Sequence, residues 1–474
     1  MTMETTAVLV GVIVFLIFYL IFYKRDKRFN LPPGPPVLPY IGTAYVFDVS
    51  MASLVLAKRR YGDATTMYFG PLRGVMLNTY ELVREACVTK AADFSDRGND
   101  LSFCIRKINP DMRGIINSDL HESLRHNRAA TLAILRSLGV GCATMEERLL
   151  EEARDLCKQL TSSQAQPLEP WHFLTCAVLN VLLHIMFNKR LNTTDERLAE
   201  IVRTTDDVIK CSYHQAYIDA FPYLRYVPPF SRTYAKLVEG DARMREIMWQ
   251  YAQQVLDDFD EEDESTFIDY WTKQQQQRGT NGSDDVSDKD NLRYILRDFL
   301  IAGSETTTTS LRWTLLFLAN RPELQERVHA QIASVVGLER QVRLADREAL
   351  PLVEAFVWEI QRYNTIVPAA LPHFTRRGAK LGAYDIPPCT IVVANLHAIH
   401  MNPEVFPKPR DFNPERFIDA STGKFVRHPH VIPFNIGKRS CLGELLARQE
   451  LFLFTSALIQ HFRFLPPEIG RAHV

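Results

Sequence analysis

The chain has 474 residues, 46% of them hydrophobic and 23% charged, with a formal net charge of -1. A balance this close to zero carries no footprint of a nucleic-acid partner, and the length admits one large domain or two to three ordinary ones. The eight cysteines are scattered without a C-x-x-C pair, which argues against a disulfide framework and for a reducing compartment with mostly buried thiols.

Taken in chain order, the first element is the uncharged run Ala7 to Tyr23, 17 residues long and about the minimum needed to span a bilayer. Lys24, Arg25, Lys27 and Arg28 follow at once, whereas Glu4 is the only charged side chain before it. Residues 1–30 therefore read as a membrane signal-anchor with a basic stop, leaving the main body on the cytosolic side. A cleaved secretory signal fits less well, because no basic segment precedes the run and no small-residue cleavage site follows it. Residues 31–36, LPPGPP, read as a stiff proline-rich hinge.

Residues 37–474 read as one domain. TTMYFG, GVMLN and YELVREACV, between residues 60 and 95, predict short strands mixed with a helix. From about residue 120 onward, apolar residues recur at three and four in LRHNRAATLAILRSL, MEERLLEEARDLCKQL, FLTCAVLNVLLHIMF and RLAEIVRTTDDVI, so the chain is mainly α. Asp257–Glu264 and Gln274–Asp290 read as solvated connectors. Beyond them a very long helix is predicted up to Pro322. No internal repeat is present.

The chemistry concentrates in PFNIGKRSCLGELLARQELFLF, where Gly437 and Gly443 bracket Cys441 ahead of a helical apolar run. A helix start beside Lys438 and Arg439 would favour the thiolate, the form that binds soft metals or attacks carbon. Gly437 permits a turn with positive φ, and Gly443 lets a flat group approach the backbone. The long helix carries a second constellation, AGSETT from Ala302 to Thr307. Thr306 stands four residues after Ala302, so its hydroxyl can bond back to that carbonyl and open a groove. Glu359 and Arg362 are spaced to share one helical face.

Phe434, Gly437, Arg439, Cys441 and Gly443 stand as F-x-x-G-x-R-x-C-x-G, which resembles the haem-binding loop of cytochrome P-450 monooxygenases. The resemblance runs from the N-terminal run through Pro467 and is similar to the animal microsomal branch that oxidises drugs, steroids and fatty acids. It implies the mainly α P-450 fold with a small β-rich N-terminal region, preceded by one transmembrane helix. It implies haem b, with Cys441 as the axial ligand of the iron, Phe434 packed near the sulfur, Gly443 beside the macrocycle and Arg439 on a propionate.

AGSETT resembles the family's oxygen-binding segment, which implies that Thr306 and Glu305 manage proton delivery. Glu359 and Arg362, with Arg416 of FNPERF, resemble the family's buried ionic triad. His373 of LPHFT resembles a histidine that approaches a propionate. Arg128 matches the second residue of the W-x-x-x-R element, but Leu124 stands at the tryptophan position.

The resemblance further implies a lipophilic small-molecule substrate, O2, and NADPH used through a flavoprotein reductase, with cytochrome b5 as another electron donor, at the endoplasmic reticulum membrane. Arg125, Lys438 and Arg448 are candidates for a basic docking patch. Relatives usually continue some thirty residues past FRFLPPE into a terminal β-hairpin, which this chain is expected to lack. That makes a haem-binding but catalytically impaired form the alternative to an active monooxygenase. A metal-free cysteine nucleophile is a further alternative, with His428, His430 and His461 the nearest histidines in sequence.

Overall fold

The computed structural model describes the chain except for residues 1–2, 27, 39, 47–49, 163–165, 261–263, 279–284 and 467–474. Lys27 of the basic stop, and the expected loss of a hairpin after Pro466, thus lie outside the described residues.

Residues Met3–Asp26 form one helix, with Val8, Leu9, Val10 and Val12 exposed along it. Among the described residues no helix is long and apolar enough to cross a membrane. At about 1.5 Å per residue the Ala7–Tyr23 run reaches only ~26 Å, short of a ~30 Å hydrocarbon core. The expected transmembrane span is therefore not found as such, although the helix is.

The body is built on helices whose sequence period matches their burial. Ala143–Thr161 buries Met145, Leu149, Leu156, Cys157 and Leu160, a stripe spaced at three and four. Trp171–Phe187 is apolar on nearly every face and buried, the pattern of a helix surrounded by others. Against it lies the long helix Asp285–Ala319. Gly303 sits at this crossing, where an added Cβ would come within 2.9 Å of the Leu182 methyl carbons. The glycine is there for close helix packing. Pro322 opens the next helix, Pro322–Val335, at a position where its missing N–H costs nothing.

The sheet corrects one expectation. The predicted strands β1 (Ala64–Phe69) and β2 (Leu72–Leu77) pair antiparallel, with Ala64 opposite Leu77. β6 (Thr390–Ala394) then adds parallel to β2, and β3 (His373–Thr375) adds antiparallel to β6, giving the order β1-β2-β6-β3. β4 (Ala379–Leu381) and β5 (Tyr384–Ile386) form a separate hairpin. The β region is thus not confined to the N-terminal part. Strands of three to five residues carry too few alternations to register as a period.

Candidate active site

The site is built where three segments meet: the loop before the helix Glu444–His461, the middle of Asp285–Ala319, and the region from Phe94 to Arg128. Gly443 caps the helix Glu444–His461 at its start, two residues after Cys441. Gly437 has φ +84°, and a Cβ there would stand 2.0 Å from the carbonyl oxygen of Cys87. Both constraints demand glycine. Gly437→Ala is expected to cost at least about 2 kcal/mol in denaturant unfolding, because strain and backbone overlap add. The loop is closed by Cys441 N–H donating to the Phe434 carbonyl (3.0 Å), while Arg128 Nη2 donates to the Ser440 carbonyl (2.8 Å).

Cys441 is accessible to solvent, yet its surroundings desolvate it enough to push its thiol up. These two facts agree if the sulfur lines a deep recess. The Gly443 N–H, Arg128 and Arg448 oppose the rise without overcoming it. The expected lowering by Lys438 and Arg439 does not occur, because Arg439 is turned elsewhere. Its Nε donates to the Ser95 carbonyl (2.7 Å), and its other nitrogens donate to the carbonyls of Ile115 and Ser118. An added Cβ at Gly443 would meet only the Cys441 sulfur, at 4.0 Å.

Arg439 belongs to a cationic cluster. Burial and the neighbouring guanidiniums of Arg97 and Arg128 bring it down to about 9, and burial with Arg128 brings Arg97 to about 10. Burial also lowers Arg128. His373 joins them: its Nδ1 lies 2.7 Å from the Phe94 carbonyl, which can only accept, so Nδ1 is the protonated nitrogen and donates. Burial, Arg97 and Arg439 hold it near 3, so it is neutral at physiological pH. Such crowding of cations is relieved by an anionic ligand.

On the long helix, Thr306 Oγ1 donates to the Ala302 carbonyl (2.7 Å), the back-bond that the spacing predicts. Ala302 is exposed although it stands mid-way along a core helix, so this face opens onto a space. Glu305 Oε1 accepts from Thr309 Oγ1 (2.8 Å). The helix stays unbroken through the segment. Behind it, Thr307 Oγ1 donates to Glu450 Oε2 (3.2 Å), tying the long helix to the helix Glu444–His461 that follows the cysteine loop.

Glu450 is 2% exposed, its Oε1 finds no partner among the described residues, and burial raises it from 4.5 to about 8. It is therefore protonated at neutral pH. Because the folded value lies above the unfolded one, its contribution to stability is full below about pH 4.5 and is lost as pH rises through about 8. Glu450→Gln, isosteric with the protonated acid, is expected to remove that loss. The stability difference between wild type and variant should drift by at least about 1 kcal/mol from pH 5 to pH 8 in urea titrations.

Farther out, Glu359 and Arg362 are both fully buried and Arg416 completes the predicted triad. Arg362 donates to both Glu359 oxygens at 2.7 and 2.8 Å, and Arg416 Nε donates at 3.2 Å.

The sequence profile of Cytochrome P450 matches residues 32–472. The chain is 33% identical over 471 residues to cytochrome P450 2F3 of Capra hircus, covering 98% of this chain and 93% of that protein. It is 32% identical to cytochrome P450 2E1 of Oryctolagus cuniculus (97% and 92% covered) and 31% identical to cytochrome P450 2J2 of Homo sapiens (97% and 90%). The chain belongs to the cytochrome P450 family. It is a cytochrome P450 monooxygenase, an oxidoreductase, and its fold is the mainly helical P450 fold with a small β region.

The family implies haem, and the residues fit it. A soft thiol faces a recess, the side of Gly443 toward the sulfur carries no Cβ, and a cationic cluster suited to two carboxylates adjoins the loop. Two P450 residues escaped the sequence reading. Arg97, whose guanidinium donates to the Ile116, Leu371 and Pro372 carbonyls, lies in FSDRG, but an arginine in a loop gives no sign of what it will face. Glu450 stands in a helix buried on nearly every face, and nothing local in the sequence marks that its carboxyl will meet Thr307 of the long helix. Leu124, at the expected tryptophan position, is fully buried and offers no hydrogen bond. Arg448 corrects the docking patch: it is 9% exposed, bonded to Glu444, and stacked over Trp358 and Phe434, whereas Arg125 and Lys438 are exposed.

Proposed function

We propose that this P450 inserts one atom of O2 into a lipophilic small molecule, a steroid, fatty acid or xenobiotic. Electrons would come from NADPH through a membrane-bound flavoprotein reductase, with cytochrome b5 as another donor. The apolar helix Met3–Asp26 would hold residues 37–474 at the cytosolic face of the endoplasmic reticulum membrane, with residues 31–36 as the hinge. The observation that carries the reading is the accessible Cys441 thiol at a helix start, with the guanidiniums of Arg128 and Arg448 near enough to act on it.

In this reading Cys441 ligates the haem iron, and Arg439, Arg128, Arg97 and His373 hold the propionates. Phe434 would pack beside the sulfur; its carbonyl accepts the Cys441 N–H and its ring lies 4.8 Å from the Arg448 guanidinium. Haem supplies the oxidising chemistry once bound. The chain supplies protons and exclusion of water. Thr306 spends its own proton on the Ala302 carbonyl, so its lone pairs face the open side and accept from a water there. Glu305, partly buried and anchored by Thr309, is the nearest carboxylate in sequence to recharge that water.

The test is turnover with reductase, NADPH and isotopically labelled O2, comparing wild type with Thr306→Ala. One labelled oxygen in the product is expected from wild type. The variant is expected to lose product formation by about 100-fold while NADPH consumption falls far less, the excess appearing as hydrogen peroxide. A thiolate-type haem spectrum without labelled product from any lipophilic substrate would favour the impaired form instead.

A further inference from the structure

One buried side chain joins the ionic triad to the cysteine loop. His400 closes the short helix Leu396–His400 and is fully buried. Both ring nitrogens are engaged. Ile432 N–H donates to Nε2 at 2.9 Å, and Nδ1 lies 2.8 Å from Thr365 Oγ1. An amide can only donate, so Nε2 is the bare nitrogen and Nδ1 carries the proton, donating it to Thr365. Thr365 Oγ1 in turn donates to the Arg362 carbonyl at 2.9 Å, while Arg362 Nη1 donates to the His400 carbonyl at 2.8 Å. The loop closes on itself: every donor has an acceptor, and only one tautomer satisfies them all.

On the other side, Ile432 begins the turn that leads to the cysteine. Its carbonyl accepts from Asn435 N–H at 3.0 Å, Asn435 has φ +56°, and the Phe434 carbonyl inside this turn accepts the Cys441 N–H. Holding Ile432 N–H therefore holds the turn that orients the amide of Cys441. We propose that His400 is a positioning residue for the cysteine loop, its δ-protonated ring carrying the fixed geometry of Arg362 and Thr365 to the amide of Ile432. Burial beside Arg362 and His397 holds the ring near 3, so it stays a neutral acceptor across the physiological range.

The inference rests on reading Cys441 as the haem ligand, but its central bond can be measured without haem. Two substitutions separate the ring's two nitrogens. In His400→Asn the amide nitrogen takes the place of Nδ1 and nothing reaches Ile432; in His400→Gln the amide oxygen takes the place of Nε2 and accepts from Ile432. Both shrink the ring, so a merely structural role would make them equally harmful in thermal unfolding.

Hydrogen–deuterium exchange of the segment 429–436 in the full-length protein is the first readout. His400→Asn is expected to speed exchange at Ile432 by roughly 3- to 10-fold, with His400→Gln near wild type. The second readout is the Soret band of the dithionite-reduced, carbon monoxide-treated holoprotein. A share of His400→Asn should shift from the thiolate to the neutral-ligand position, and His400→Gln should not. Equal behaviour of the two variants in exchange, or unchanged Ile432 exchange in His400→Asn, overturns the proposal. Should His400→Asn fail to fold, Thr365→Val, which removes only the acceptor for Nδ1–H, carries the test: faster Ile432 exchange supports the relay, and unchanged exchange overturns it. A wild-type protein with no thiolate-type band would instead refute Cys441 as ligand and leave the exchange result to stand by itself.

Discussion

Cys441→Ala is expected to abolish the strongly red-shifted Soret band of the reduced, carbon monoxide-treated protein and all reductase-supported turnover, while leaving the apoprotein within about 1 kcal/mol of wild-type stability. The two halves follow from one fact. Cys441 is accessible, so truncating it opens no cavity, and its main-chain bond to Phe434 survives the substitution. What disappears is the only soft donor on the loop, since the loop's other side chains are apolar, amide, hydroxyl or cationic. Spectra in membranes beside urea titration of the apoprotein check both halves. A variant that keeps the band would mean that another residue ligates the iron. A variant that loses several kcal/mol would mean that the thiol is structural.

How much of this could be read in the chain differs by residue, and the difference has a physical cause. Cys441, Gly437 and Gly443 were legible because their spacing is local: a turn that needs positive φ, a cap and a helix start lie within seven residues. The Thr306 back-bond was legible for the same reason, being an i to i−4 contact within one helix. Arg439 was legible in identity and not in partner. Its donors go to carbonyls 321 to 344 residues away, and no local rule predicts which carbonyl will stand there.

Arg448 shows the opposite failure. It was a candidate for an exposed docking patch, yet Trp358 and Phe434 cover it from other segments. The late strands β3 and β6 were missed because they are only three and five residues long, and β6 joins the sheet by pairing with the distant β2 while β3 pairs with β6. Long helices announce themselves by period; the side chains that close a site between them do not.

Glu359→Gln is expected to cost about 3–5 kcal/mol in urea unfolding and to lower haem retention with it. Glu359 accepts from Arg362 Nε and Nη2, from Arg416 Nε and from the Asn413 N–H at 2.8 Å, and it is the only carboxylate bonded to Arg362 among the described residues. An amide of the same shape fills the space but removes the charge and turns one acceptor into a donor, leaving a fully buried guanidinium with neutral oxygen partners alone, among them the carbonyls of His400 and Pro409. Arg416→Ala should cost less, about 1–2 kcal/mol. Arg416 is partly exposed, and its loss leaves Glu359 still paired with Arg362 on both oxygens. The order matters more than the sizes. If the triad serves the haem by fixing the backbone around His400 and Pro409, haem retention must fall in the same order as stability. If Arg416→Ala lost haem while remaining stable, the triad would be acting on the cofactor by some route other than the fold.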